Sequence, residues 1–329
     1  DLYEAVKSIG MELCPELGIT IPVGKDSMSM STVWSDAQGS HRVTAPISLV
    51  ISAFAPCADV RKTLTPQLLQ DKDSTLVLVD LARGKNRMGA SIAAQVYCNL
   101  GDKAPDVDSA KELRAFFETI QKLNAAGKIM AYHDKSDGGL YTTLAEMAFA
   151  GHVGVTVKAD ALKGNLIDAL FNEELGAVLQ VKNADLAAVK AAFEAAGLGD
   201  TVSEIATLND SYNLVIGDYA EGLSDLRAIW SDTTRRIAAL RDNPDCAESE
   251  YTLKLEQDNP GITPKVTFDV AASAKIIKDY ASRPKMAILR EQGVNGELEM
   301  AAAFQKAGFE SIDVHMTDIL EGRVSLKDF

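Results

Sequence analysis

Cysteine is scarce: Cys14, Cys57, Cys98 and Cys246 are the only four in 329 residues, and no two stand at C-x-x-C spacing. That excludes a zinc knuckle and a disulfide framework, and it fits reduced, cytoplasmic thiols. No apolar run reaches the roughly 18 to 20 residues of a membrane helix, and the start lacks the basic and apolar regions of a signal peptide. Basic charge is also short, with 33 Lys and Arg against 47 Asp and Glu and a formal charge of −14. An electrostatic grip on a nucleic-acid backbone or an anionic membrane is therefore not expected. An initiator Met is missing too: the chain opens at Asp1, inside a helical pattern, and stops at Phe329 after a strand-like stretch. A piece of a longer polypeptide is the expectation.

What is present is ample core material, 47% hydrophobic residues, at a length that suits two or three structural units. Leu2, Val6, Ile9 and Leu13 recur at helical spacing up to a stop at Gly18. Ile19 to Trp34 and Val43 to Phe54 then read as strands around a polar loop at 36–40. After a polar connector, Thr75 to Asp80 (TLVLVD) reads as a buried strand. Helices over Ser109–Ala126, Leu140–Ala150, Ala184–Ala196 and Leu223–Leu240 alternate with strands at 129–133, 154–157, 177–181, 202–206 and 212–216. Such alternation predicts an α/β, mixed α+β unit with helices packed on a sheet. From Asn243 to Ser282 the N-P, N-P-G and T-P dipeptides suggest a linker with one or two short helices. A strand at 286–289, a helix at 297–307 and a strand at 311–314 open a new unit, too short for a core of its own, so more chain is expected beyond Phe329.

Four strings carry chemical interest. In His133-Asp134-Lys135-Ser136-Asp137-Gly138-Gly139, between a strand and a helix, the carboxylates suit a divalent cation, Ser136 suits a phosphate, and the glycines would admit an anion to backbone amides. A simple helix cap and turn explains the same letters, and both readings stay open. Gly24-Lys25-Asp26-Ser27 lacks the upstream glycine of a phosphate loop and lies among strand-like residues; it lines either a ligand cleft or an ordinary sheet face. Gly84 to Ser91 places Lys85 and Arg87 between a strand and a helix, where solvated loop cations are the commoner explanation. Phe171 to Gly176 places Glu173 and Glu174 before a strand, with no means of separating turn from function. His41, His152 and His315 have no partners at ligand spacing, Cys14 has no nearby base, and nothing forms a Ser-His-Asp pattern.

In order, IPVGKDSMSM (Ile21–Met30), HDKSDGG (His133–Gly139), LAEMAFAGHVGV (Leu144–Val155), FNEELGAVLQV (Phe171–Val181) and RPKMAILREQGVN (Arg283–Asn295) closely resemble the large, single-chain form of phosphoribosylformylglycinamidine synthase. The resemblance runs over essentially the whole chain. It implies an ATP-dependent glutamine amidotransferase of purine biosynthesis, acting on formylglycinamide ribonucleotide. It implies residues 1–62 from the end of the second synthetase N-terminal-type subdomain and 66–255 as the second aminoimidazole-ribonucleotide-synthetase-like C-terminal subdomain. A linker over 256–283 and the first strands of a flavodoxin-like class I glutaminase domain over 284–329 follow. It implies Asp134 as a Mg2+ ligand and Ser136 as an ATP/ADP contact, in a half whose nucleotide site is structural, with no catalytic residue in this chain and no turnover by it alone. An uncovered apolar sheet face would favour self-association. The alternatives are a small-molecule kinase or selenophosphate synthetase relative, against which RPKMAILREQGVN counts, and a non-catalytic nucleotide-binding or assembly module.

Overall fold

A computed structural model describes residues 2–24, 30–273 and 282–329. They form two units, Asp1–Asn259 and Pro260–Phe329, each described by itself.

The first unit opens with α1 (Leu2–Lys7), a π-helical turn (Ser8–Leu13) and α2 (Cys14–Leu17). The helical stretch stops at Gly18, whose left-handed φ of 72° lets the Ile19 amide turn back to the Cys14 carbonyl. A two-residue turn joins β1 (Ser31–Asp36) to β2 (Gly39–Thr44), antiparallel from Ser31↔Thr44 to Asp36↔Gly39. The strands expected at 19–34 and 43–54 are thus mostly displaced. Among the described residues, 19–24 and 45–58 carry no strand despite their β-branched side chains. β propensity is realised only against a pairing neighbour, and among the described residues no strand pairs with these segments.

The remaining elements build one sheet and its covering helices. They are β3 (Ser74–Asp80), α3 (Ile92–Val96), α4 (Ala110–Ala125), β4 (Ala131–Asp134), α5 (Gly139–Gly151), β5 (Gly154–Val157), α6 (Leu166–Phe171) and β6 (Gly176–Lys182). There follow α7 (Leu186–Ala195), β7 (Val202–Asn209), β8 (Asn213–Ile216), β9 (Tyr219–Gly222), α8 (Leu223–Arg241) and α9 (Pro244–Leu255). The strand order is β4-β6-β3-β7-β5-β8-β9. Only the β5–β8 pair is parallel; the others are antiparallel.

Pleating sends Leu76 and Leu78 of β3 into a core with Leu140, Leu144, Met147 and Phe149 of α5. Val77 and Val79 enter a second core with Phe116 and Ile120 of α4 and Val189 and Phe193 of α7. TLVLVD is therefore unbroken because both sheet faces are covered, although its neighbours run antiparallel. At 25 cal/mol per Å2, each such buried aliphatic side chain contributes about 1.5–3 kcal/mol. α5 must be apolar around much of its girth, since nine of its thirteen residues are buried. The stretch expected to carry one or two short helices opens with α9 at the Asn243-Pro244 step: the Asn243 side chain accepts from the Asp245 and Cys246 amides, and Pro244 occupies the first turn, where no donor is needed.

The second unit holds α10 (Val270–Ser273), β10 (Lys285–Arg290), α11 (Glu297–Lys306), β11 (Glu310–His315) and α12 (Met316–Leu320). β10 and β11 are parallel, Lys285↔Glu310 through Arg290↔His315, joined by α11 as a β-α-β crossover. Among the described residues, Ile288 and Val314 are its buried hydrophobic residues.

Candidate functional site

Three of the four strings meet at one end of neighbouring strands in the large sheet. The fourth cannot be placed, because Lys25–Ser29 lie outside the described residues.

β4 pairs with β6 from Ala131↔Gln180 to Asp134↔Ala177. Its pleat sends Tyr132 and Asp134 to one face and His133 to the other. The Tyr132 ring packs against the core containing Val77 and Phe116, and its hydroxyl donates to Asp134 Oδ1. Burial, and secondarily the Asp134 carboxylate, pushes the phenol well above its ordinary value, so it is a donor there. On the opposite face His133 Nε2 lies 2.7 Å from Glu146 Oε2 on α5, and Trp230 Nε1 of α8 donates to Glu146 Oε1 at 2.8 Å. The hydrogen bond to Glu146 raises the His133 pKa against its burial, and the same bond lowers that of Glu146.

Beyond Asp134 the chain turns inward and out again. The Lys135 side chain is only 2% exposed. Its Nζ donates to Asn172 Oδ1 at 2.7 Å and lies 3.6 Å from Asp80 Oδ1. Burial lowers the Lys135 pKa, with Asp80 and Glu174 opposing the shift. Ser136 and Asp137 are exposed. Gly138 and Gly139 then enter α5 with φ of +81° and +71°, and a Cβ on Gly139 would stand 2.6 Å from the Asn172 carbonyl. Only glycine fits. Their amides bond within the protein: Gly138 N–H donates to Glu173 Oε1 and Gly139 N–H to the Ser136 carbonyl, both at 2.9 Å.

The other two strings lock this loop in place. Glu173 Oε1 also accepts from the Ile92 amide at the start of α3. Glu174, fully buried, takes Arg87 Nε at 2.6 Å, Nη2 at 2.7 Å and the Arg87 amide at 3.0 Å. Asp108 meets Arg87 and Lys85. The loop cations are thus paired internally. Asn172 Nδ2 bonds Asn86 Oδ1 at 3.1 Å, completing a link across all three strings. A cleft of about 20 Å3 lies among Asp80, Asn86, Lys135, Lys163 and Asn172, room for a water molecule.

Sequence reasoning named Asp134 and Ser136 but missed Tyr132, Lys135, Asn172 and Glu173 as their supports. A signal for Tyr132 was present, since residues two apart on a strand share a face; nothing local could pair Lys135 with Asn172. Among the described residues no three His, Cys, Asp or Glu side chains group to hold a metal. Asp134 offers a single carboxylate, and Mg2+ commonly binds one or two carboxylates with water and phosphate oxygens completing its shell.

The fold and site define an α/β domain of the AIR-synthase type. Residues 73–218 match the family model "AIR synthase related protein, C-terminal domain". Residues 1–56 match the "FGAR-AT PurM_N-like domain" and 283–329 the "CobB/CobQ-like glutamine amidotransferase domain". These three matches, in this order along the chain, are similar to part of an FGAR amidotransferase (phosphoribosylformylglycinamidine synthase). Among solved structures it is similar to Thermotoga maritima PurL complexed with FGAR, at 11% identity and TM-score 0.43, over 65% of this chain and 36% of that one. It is also similar to T. maritima PurLQS, at 10% and 0.40 over 50% and 28%, and to E. coli HypE, a hydrogenase maturation protein, at 19% and 0.36 over 49% and 51%. The chain spans only about a quarter to a half of the length of these structures.

Proposed function

We propose that this chain is part of an ATP-dependent glutamine amidotransferase that converts formylglycinamide ribonucleotide, glutamine and ATP to formylglycinamidine ribonucleotide, glutamate, ADP and phosphate. The observation that carries the reading is the succession of an FGAR-AT-type domain, an AIR-synthase-type domain and an amidotransferase-type domain in one chain. A free-standing kinase or selenophosphate synthetase gives no reason for the third of these. The chemistry is activation of the formamide oxygen by the γ-phosphoryl group and displacement of phosphate by ammonia, which must reach the activated carbon shielded from water.

Within this chain the domain over residues 66–255 holds the nucleotide, the linker over 256–283 follows, and 284–329 begins the glutaminase part. Asp134 ligates Mg2+ and the Ser136 hydroxyl contacts the nucleotide. Bound there, Mg2+ offsets the phosphate charge. The side chains themselves bind and orient: Asp134 presents a carboxylate from a fixed strand end, and Ser136 projects from a loop held by Lys135, Asn172 and Glu173. The role of this site is to hold nucleotide, without turnover. The chain alone is inactive, because glutamine hydrolysis in class I glutaminases uses a cysteine and residues 283–329 contain none. All four cysteines are free thiols, which suits the cytoplasm. Amidine formation should be measured with this chain and with the intact polypeptide that contains it. Turnover by the intact polypeptide only is the expected result; turnover by this chain, or by neither, would overturn the reading.

A further inference from the structure

The Asp134 carboxylate sits at the exposed end of an edge strand, where a side chain of two rotatable bonds would ordinarily wander among rotamers. It does not stand alone. Tyr132, two residues earlier on the same face, reaches up from the core around Val77 and Phe116 and donates its hydroxyl to Oδ1. A rigid ring seated in a packed core thus fixes one carboxylate oxygen. It leaves Oδ2 outside that bond. The bond is neutral-to-anionic, so it holds the carboxylate without adding the competing positive charge that a Lys or Arg partner would bring against a cation.

From this geometry, and resting on the reading of Asp134 as a metal ligand, we infer that Tyr132 is a positioning residue that orients Asp134 as a one-oxygen ligand for a nucleotide-borne divalent cation. Outer partners of metal-ligating carboxylates typically govern affinity by 10- to 100-fold. The lower part of that range applies here, since water and phosphate supply the rest of the shell. The donor set fits a hard cation that keeps several waters and one protein carboxylate. It does not fit Zn2+, whose sites take three or four protein ligands, a group that the described residues do not form.

The test uses the full chain with Mn2+ as the spectroscopic probe. Free Mn2+ is followed by electron paramagnetic resonance in the presence of ADP, and ADP binding is measured separately in chelator. Tyr132→Phe keeps the ring in its core and removes only the hydroxyl. The expected result is Mn2+ affinity about 10-fold weaker with ADP present, ADP affinity in chelator unchanged, and a broader bound-Mn2+ spectrum. A variant that only loosened the fold would lower both affinities, and that parallel loss would overturn the proposal. So would Mn2+ affinity left intact by Tyr132→Phe while Asp134→Ala abolishes it, which confines the failure to Tyr132. Mn2+ affinity left intact by Asp134→Ala would instead sink the metal reading itself, and the positioning role with it.

Discussion

Glu174 is the most exacting test of how the loops beneath the site are held. Its carboxylate is fully buried and accepts three hydrogen bonds from Arg87: Nε at 2.6 Å, Nη2 at 2.7 Å and the amide at 3.0 Å. Glu174→Ala strips the Arg87 guanidinium, 15% exposed, of its main partner and orphans a backbone donor. Asp108 remains on Arg87, at 3.0 Å from Nη2, and softens the loss. Bonds to charged groups contribute about 1.5–3 kcal/mol each, and breaking a buried pair by removing one partner costs about 3–5 kcal/mol, which is the loss expected here. Urea unfolding read by Trp230 fluorescence measures it. The chain has two tryptophans, and a Trp34→Phe background leaves the indole on α8, packed 5.6 Å from Phe149. At a slope of about 2 kcal/mol per M the midpoint should fall by roughly 2 M. The pair replacement Arg87→Met with Glu174→Leu should cost less than the sum of the single changes, because no buried charge is stranded. A loss under about 1 kcal/mol for Glu174→Ala, the range of a solvent-exposed pair, would refute the reasoning.

Gly139→Ala forces a left-handed φ of +71° on a side chain whose Cβ meets the Asn172 carbonyl at 2.6 Å. A fall in stability of at least about 1–3 kcal/mol is expected by the same urea titration, and an unchanged midpoint would contradict the tight approach. His133→Gln should cost about 1–2 kcal/mol at pH 6. His133 has a raised pKa, so its stabilising effect is complete below the ordinary imidazole value of 6.5 and fades as pH climbs through the raised one. Glu146, lowered, contributes above its ordinary 4.5 and loses that contribution on acidification. The gap between wild type and His133→Gln should therefore be widest between these two pH values and shrink toward pH 9; a gap that grows with pH would refute the pairing. Light scattering should find the chain self-associated through its N-terminal apolar segment, where Val50 and Phe54 are 89% and 96% exposed. A monomer at all concentrations is the contrary result.

How much was legible beforehand follows from the range of each interaction. TLVLVD, the α5 pattern and the Gly18 stop carry their structure in neighbouring letters, and the elements stand close to where periodicity puts them. The β1–β2 pair was mislocated because Thr32, Val33 and Val43 share their β-branched character with residues on either side, and only pairing decides which segment becomes strand. Short α6 and β9 were missed for want of a repeat long enough to show a period. At the site, Asp134 and Ser136 stand out in a single string. The contacts that hold them do not: Lys135 meets Asn172 across 37 residues and Arg87 meets Glu174 across 87. Lys85 and Arg87, for which solvated loop cations are the commoner sequence explanation, are in the fold the counter-charges of Asp108 and Glu174.

On the function proposed above, the strand end and loop from Asp134 to Ser136 hold a magnesium-bound nucleotide. Calorimetric titration of ADP into the full chain, with and without Mg2+, tests it most directly when wild type is set beside Asp134→Ala. Wild type should bind ADP more tightly with Mg2+, and Asp134→Ala should lose this gain while still binding ADP in chelator. An Mg2+-dependent gain of the same size in both proteins would contradict it.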